Sequence, residues 1–112
     1  MTKIAILTLA TSKNRDSWVS MKDTYLFNLT LKTFLLTMDK EHEYLFYIGV
    51  DKGDRIFDNK KEQELIIRFN IAFKNVEFIF YPIFNIEKGH VTKMWNIIFK
   101  DAYDKNCEYF YQ

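Results

Sequence analysis

The stretch KIAILTL, at residues 3–9, decides the fold because it is apolar and lacks the polar alternation of a half-exposed strand. Runs of this kind, rich in β-branched residues, are typical of strands that are covered on both faces, as in a parallel sheet. Three further runs follow along the chain: YLFYIGV at 44–50, VEFIFY at 76–81 and EYFY at 108–111. We expect Pro82 to end the third strand, since proline cannot donate to a sheet ladder.

Segments with helical spacing of apolar residues separate the four runs. Helices are predicted over residues 23–38, 60–73 and 92–104, with Asp23 and Asn59 as N-caps of the first two and Asn106 as a left-handed stop after the third. The predicted buried faces are Phe27, Leu31, Phe34, Leu35 and Met38; Leu65, Ile66, Phe69 and Phe73; and Trp95, Ile98, Phe99 and Ala102. This order predicts one α/β domain over residues 1–112, built on an open, mostly parallel sheet with right-handed crossovers.

Composition excludes several classes of protein. Of the 112 residues, 48% are apolar, and 16 basic and 15 acidic side chains leave a net charge of +1. No concentrated basic patch is visible, so nucleic-acid binding is not expected. The apolar N-terminal run is too short to span a membrane. The single Cys107 forms no internal disulfide, which favours a cytoplasmic location, and His42 and His90 are too few for a metal site.

Ligands of open parallel sheets bind beyond the carboxyl ends of the strands, near the point where strand order reverses. The residues that follow the first strand offer hydroxyls, backbone donors and cations, which suit a nucleotide's base or phosphates. They are Thr8, Ala10, Thr11, Ser12, Lys13, Asn14 and Arg15. A solvated loop is the alternative for this segment. The glycine spacing of a dinucleotide fingerprint or a P-loop is absent.

Two other positions are candidates on the same rule. Asp51 follows the second strand, where a carboxylate can accept hydrogen bonds from a base or a ribose, or only begin the turn to Gly53. The loop over residues 83–90 follows the third strand. Lys93 and Asn96 then share one face of the third predicted helix, where Lys93 could reach a diphosphate or simply belong to an exposed polar surface.

Three segments together resemble GT-A glycosyltransferases. GHVTKMWN at 89–96, with Phe99, Ala102-Tyr103 and EYFY at 108–111, is similar to their third helix and fourth strand. KIAILTLATSKNR at 3–15 is similar to their first strand and nucleotide loop, and YLFYIGVDKGD at 44–54 to their second strand with its nucleotide-contacting aspartate.

The resemblance implies a nucleotide-diphosphate-sugar donor, most often a UDP-sugar. It implies that Thr8, Ala10 and Arg15 line the base and ribose pocket, and that Asp51 contacts the base or ribose. Lys93 would contact the diphosphate or donor sugar, and Asn96 would support the start of the helix or reach the ribose. Thr11 joins this set of nucleotide-binding residues as part of the first loop.

The family's acidic DxD-type motif, which holds Mn²⁺ or Mg²⁺, has no counterpart, because no Asp or Glu follows Glu108. No catalytic residue, metal ligand or cofactor is therefore assigned to this chain, and the metal is expected only for a complete homologue. We expect a truncated half domain that is inactive alone and that forms homo-oligomers through the edge strand EYFY or an apolar face. The alternative is a non-catalytic interaction or assembly module. A response-regulator-like domain is disfavoured, since acidic residues do not follow the first strand.

Overall fold

The computed structural model describes residues 2–83 and 91–111. Four strands form one sheet: β1 (Lys3–Ala10), β2 (Glu43–Asp51), β3 (Val76–Ile83) and β4 (Tyr109–Tyr111). Their order in the sheet is β3-β2-β1-β4, and all three neighbouring pairs run parallel. The predicted α/β class with an open parallel sheet is confirmed. The strand order reverses between β1 and β4, because β2 and β3 lie on one side of β1 and β4 lies on the other.

The first predicted helix consists of three different segments. A 3-10 turn (Met21–Asp23) is followed by a π-helical segment (Leu26–Leu31) that continues into α1 (Lys32–Thr37). The prediction of Asp23 as N-cap was wrong. Ser20 occupies that position, and the Asp23 carboxylate accepts hydrogen bonds from the backbone N–H groups of Val19 (2.9 Å) and Ser20 (3.1 Å). These bonds lower the pKa of Asp23.

The other two helices lie close to their predicted positions. α2 (Lys60–Ile67) is shorter than predicted and ends in a 3-10 turn (Arg68–Ile71), while α3 is Val91–Asp104. The cap at Asn59 is confirmed, since its side-chain oxygen accepts hydrogen bonds from the N–H groups of Lys61 and Glu62. Asn106 has a φ of 68°, which confirms it as the left-handed stop.

β3 continues through Pro82, contrary to the prediction that proline ends it. Val50 of β2 pairs with Pro82, and Asp51 pairs with Ile83. β3 is an edge strand, with a neighbour on one side only within the described part of the chain. A proline is tolerated at such an edge because its missing N–H can lie on the unpaired side.

Two apolar clusters cover the two faces of the sheet. Phe46, Ile48 and Val50 of β2 pack with Leu31 and Ile66 on the face that α1 and α2 cover. Leu31 and Ile66 are fully buried, and the other residues predicted for these two helical faces are partly buried against the same core. Both faces of β2 are therefore covered, which explains its uninterrupted apolar sequence.

α3 covers the opposite face through Met94, Ile98 and Ala102, all fully buried. Phe99 was predicted to be buried, but its side chain is 47% exposed and rests on Phe110 at a ring-centroid distance of 4.4 Å. The prediction missed Met94, which takes the central position because the buried face of α3 is rotated by part of a turn from the predicted stripe. Trp95 packs at the border of the cluster.

Tyr47 links β2 to α3 through a partly buried hydrogen bond. Its ring is fully buried, and its hydroxyl donates to Oδ2 of Asp101 at 2.6 Å. Burial, and then the Asp101 carboxylate, raise the pKa of Tyr47, so the hydroxyl keeps its proton. Lys105 forms an ion pair with the same carboxylate at 3.1 Å.

Replacing Tyr47 with Phe should lower the free energy of unfolding by about 1–2 kcal/mol, because a hydrogen bond to a charged group is lost while the ring stays packed. Urea denaturation measures the change. Tyr109→Phe is the matched control, since Tyr109 is exposed and should change the free energy by less than about 0.5 kcal/mol. Equal effects for the two variants would show that the Tyr47 hydroxyl does not hold α3 on the sheet.

Candidate functional site

The register of β1 and β2 brings the first two loops together at the carboxyl edge of the sheet. Ala10 pairs with Val50, so the next residues, Thr11 and Asp51, become neighbours. The Thr11 hydroxyl donates to Oδ2 of Asp51 at 2.8 Å and accepts from the backbone N–H of Lys13 at 3.2 Å. Two of the predicted site residues, 40 positions apart, are thus joined directly.

A cavity of about 260 Å³, which we name the β1 cleft, lies beside the end of β1 on the face that α1 and α2 cover. Its lining combines threonine hydroxyls, aromatic rings and two cations. The lining residues are Thr8, Leu9, Ala10, Thr11, Lys13, Arg15, Trp18, Tyr25, Leu26, Thr30 and Phe57. Four of the predicted nucleotide-binding residues, Thr8, Ala10, Thr11 and Arg15, therefore line one cleft. Among the described residues, no carboxylate lines it.

Arg15 is held against two aromatic rings at the mouth of the β1 cleft. Its guanidinium carbon lies 5.6 Å from the ring centroid of Trp18 and 5.4 Å from that of Tyr25, within the range of cation–π attraction. The two rings pack edge to face at 5.1 Å. The guanidinium carries five N–H donors, and within the described residues its contacts are these two rings, which do not accept those donors as an anion would.

Asp54 fastens the beginning of the first loop. Its carboxylate accepts hydrogen bonds from the backbone N–H and the hydroxyl of Ser12, both at 2.9 Å, and from the N–H groups of Ile56 (3.0 Å) and Phe57 (2.9 Å). Burial by itself would raise the pKa of Asp54, but these hydrogen bonds outweigh it and lower the pKa. The carboxylate therefore stays ionised and holds Ser12, which is buried.

Arg55 fastens the far end of the same loop. Its guanidinium donates to the carbonyl of Trp18 at 2.5 Å and to the carbonyl of Arg15 at 2.8 Å. The loop itself turns twice, since Arg15 N–H donates to the carbonyl of Ser12 (3.1 Å) and Trp18 N–H to that of Arg15 (3.0 Å). Asn14 lies within the first of these turns and has a φ of 62°.

A second cavity of about 380 Å³, which we name the loop cavity, opens between the loop after β1 and the loop after β2. Its charged lining is balanced, with three cations and three carboxylates: Lys13, Lys52, Arg55, Asp16, Asp51 and Asp54. Asp51 lines this cavity and not the β1 cleft. Thr11 and Lys13 line both cavities, so the two spaces adjoin at these residues.

Lys93 and Asn96 line neither cavity. Both are exposed on α3, as predicted for a shared polar face. α3 packs on the opposite side of the sheet from the β1 cleft, and its first turn lies at the same carboxyl edge, since Met94 comes within contact range of Gly49 near the end of β2. The roles assigned to Lys93 and Asn96 stay predictions. Of the loop predicted over 83–90, Ile83 belongs to β3, and residues 84–90 lie outside the described residues.

Residues 2–83 and 91–111 contain neither a candidate metal site nor a membrane-spanning helix. No three His, Cys, Asp or Glu side chains are grouped closely enough to bind a metal ion there. In the same residues, no helix has the length and apolarity to cross a membrane. Cys107 is free and buried, and burial raises the pKa of its thiol.

Sequence reasoning missed the aromatic wall of the β1 cleft and the residues that hold its loop. Trp18, Tyr25 and Phe57 reach the cleft from three separate segments. Spacing along one segment could not have grouped them. A signal did exist for Asp54, because an aspartate before Ile56 and Phe57 is a typical N-cap of a short turn. Arg55 carried no such signal.

No family model, curated protein or solved structure matches the chain. Its class therefore follows from the fold alone. The parallel sheet, with helices on both faces and clefts at its carboxyl edge, defines a Rossmann-like α/β domain.

Replacing Thr11 with Val should lower the free energy of unfolding by about 1 kcal/mol, because the hydrogen bond to the Asp51 carboxylate is lost. Thr11→Ser keeps the hydroxyl and is the matched control. A double-mutant cycle with Asp51→Ala, which removes the acceptor, followed by urea denaturation, measures the coupling directly. Additive effects of the two substitutions would contradict a direct Thr11–Asp51 interaction.

Proposed function

We propose that this chain is a glycosyltransferase-like domain that binds a nucleoside diphosphate or its sugar conjugate in the β1 cleft. The observation that carries the proposal is the lining of this cleft, which combines two cations, three threonine hydroxyls and aromatic rings without a described carboxylate. The location supports it as well, since open parallel sheets bind their ligands at the carboxyl ends of their strands.

Charge favours the β1 cleft over the loop cavity as the diphosphate site. Lys13 and Arg15 give the cleft two positive charges, whereas the loop cavity adds three carboxylates to its three cations. A planar guanidinium binds phosphate oxygens through paired N–H donors. Arg15 suits this role because the rings of Trp18 and Tyr25 restrict its position without accepting a hydrogen bond from its planar donors.

The aromatic and hydroxyl groups of the cleft suit the nucleoside. Bases stack on aromatic rings, and such stacking contributes about 1–3 kcal/mol per base in single-stranded complexes. Thr8 and Thr30 offer hydroxyls that can donate to or accept from a ribose. The preference for uridine and for a sugar conjugate rests on the sequence resemblance to GT-A glycosyltransferases.

Asp51, Lys93 and Asn96 do not line the β1 cleft and have smaller roles in the proposal. Asp51 is bonded to Thr11 and lines the adjoining loop cavity, where it can accept a hydrogen bond from a ligand group that extends into that cavity. Lys93 and Asn96 would take part only if the ligand reached the start of α3. The described residues do not fit the family's metal site, so no catalytic step through Mn²⁺ or Mg²⁺ is proposed for this chain.

Isothermal titration calorimetry with UDP tests the proposal. Arg15→Gln should weaken UDP binding about tenfold or more, equivalent to a loss of about 1.4 kcal/mol, because a charged partner of the diphosphate is removed. Arg68→Gln is the matched control, since Arg68 is an exposed cation directly after α2 that does not line the cleft; the affinity of this variant for UDP should equal that of the wild type.

Titrations with ADP and inorganic phosphate separate recognition of the base from recognition of the anion. Tighter binding of UDP than of ADP would support the uridine preference. Absence of heat for every nucleoside diphosphate at millimolar concentration would remove the proposed function.

Self-association is a second candidate, favoured by the contrast between the two edges of the sheet. The β3 edge carries Pro82 and the exposed Glu77, which discourage pairing with another strand. The β4 edge instead presents Tyr109 and Tyr111, which are 54% and 56% exposed. We propose that β4 supports homo-oligomer formation or the assembly of a larger fold, with or without a nucleotide.

Replacing Tyr109 with Lys should shift the chain toward monomer, because a charge on an edge strand opposes pairing. Analytical ultracentrifugation over a hundredfold range of concentration measures the effect. Ile71→Lys is the control, since it adds the same charge at a residue that is 74% exposed and far along the chain from β4. A wild type that stays monomeric at all concentrations would rule out this second candidate.

A further inference from the structure

The loop that carries the two cations of the β1 cleft is fastened by a separate segment of the chain. Arg15 and Trp18 belong to the loop after β1, and Asp54 and Arg55 to the loop after β2. The Asp54 carboxylate holds the backbone and hydroxyl of Ser12, and the Arg55 guanidinium holds the carbonyls of Arg15 and Trp18. Two consecutive residues thus hold both ends of one loop.

A third contact extends the same pattern beyond the loop. Oε2 of Glu62, in α2, accepts a hydrogen bond from the backbone N–H of Met21 at 2.6 Å. Met21 is fully buried and begins the 3-10 turn that leads to Tyr25. The segment that supplies Arg15, Trp18 and Tyr25 is therefore held at its beginning, middle and end by residues 54–62.

We infer that Asp54 and Arg55 are positioning residues for anion binding in the β1 cleft; this inference rests on the proposed function of that cleft. Neither residue is assigned contact with the ligand. Arg55 donates to the Arg15 carbonyl, which fixes the backbone from which the Arg15 side chain reaches the rings of Trp18 and Tyr25. A ligand then binds a loop that is already ordered and does not have to order it.

The position of Arg55 distinguishes this role from a purely structural one. Arg55 is exposed, so its removal opens no cavity in the core and leaves carbonyls that water can reach. We therefore expect the removal of the Arg55 side chain to lower the fraction of molecules in which the loop is ordered. If the ordered fraction fell to about one tenth, the apparent affinity would fall about tenfold without a change in any ligand contact.

The test compares Arg55→Ala, Arg55→Lys and Lys52→Ala in the full chain with Trp95 replaced by Phe, so that Trp18 is the single tryptophan. Lys52→Ala is the matched control because it removes one exposed positive charge from the same loop as Arg55. Among the described residues, the Lys52 side chain forms no hydrogen bond to the loop after β1. Two quantities are measured: acrylamide quenching of Trp18 fluorescence without ligand, and the Kd for UDP by calorimetry.

Arg55→Ala should make Trp18 more accessible to acrylamide and weaken UDP binding about tenfold. Arg55→Lys should not restore either quantity, since an ammonium group lacks the planar fork that spans two carbonyls. Lys52→Ala should leave quenching unchanged and weaken binding only slightly. Amide hydrogen exchange of residues 12–18 in the wild-type tryptophan background gives the same comparison if Trp95→Phe fails to fold.

The outcomes separate the two proposals. If the wild-type protein binds no UDP, the proposed function is overturned. If acrylamide quenching of Trp18 is nevertheless higher in Arg55→Ala, the conclusion that Arg55 orders the loop still stands. Wild-type protein that binds UDP, with Arg55→Ala binding equally well, overturns the positioning role. Equal losses of affinity in Arg55→Ala and Lys52→Ala would also overturn it, because the effect would then be one of charge alone.

Discussion

The parallel pairing of β1 with β2 is the constraint on which the rest of the structure depends. β2 is buried on both faces, with Phe46 and Ile48 toward α1 and α2 and Tyr47 toward α3. A slip of one residue would exchange these sets between unlike environments. A slip of two is opposed at Gly49, where a Cβ would come within 2.6 Å of the Leu9 side chain and 3.1 Å of the Ile98 side chain, so that these side chains would have to move.

This register has a direct consequence at the carboxyl edge. With Ala10 opposite Val50, the loops after β1 and β2 leave the sheet side by side, and Asp54 and Arg55 can reach a loop that lies 40 residues earlier in the sequence. The β1 cleft is therefore a product of tertiary structure. Its cations come from one loop, its support from another, and part of its wall from the π-helical segment that supplies Leu26 and Thr30.

The sequence predicted the sheet well because each strand is a short apolar run, and β2, which is buried on both faces, is apolar at nearly every position. The segment over 23–38 was predicted less well. Over one or two turns, the spacing of apolar residues does not distinguish 3-10, π and α segments, which differ in their backbone hydrogen bonds. At the site, Thr8, Ala10, Thr11 and Arg15 could be grouped because they lie at the end of one strand and in the loop that follows it. Which face α3 covers could not be read from local spacing, so the separation of Lys93 from the cleft was not foreseen.

The charges of the two loops show why net charge says little about binding here. The chain as a whole carries only +1, and Asp51 and Asp54 lie within a few residues of the cations. Asp54 is committed to backbone and hydroxyl donors, and Asp51 accepts from Thr11 on the side of the loop cavity. Among the described residues, Lys13 and Arg15 are the charged side chains that line the β1 cleft. Because ion interactions weaken with distance and with solvent screening, these two nearby charges would act on an anion in the cleft more strongly than the balanced remainder of the surface.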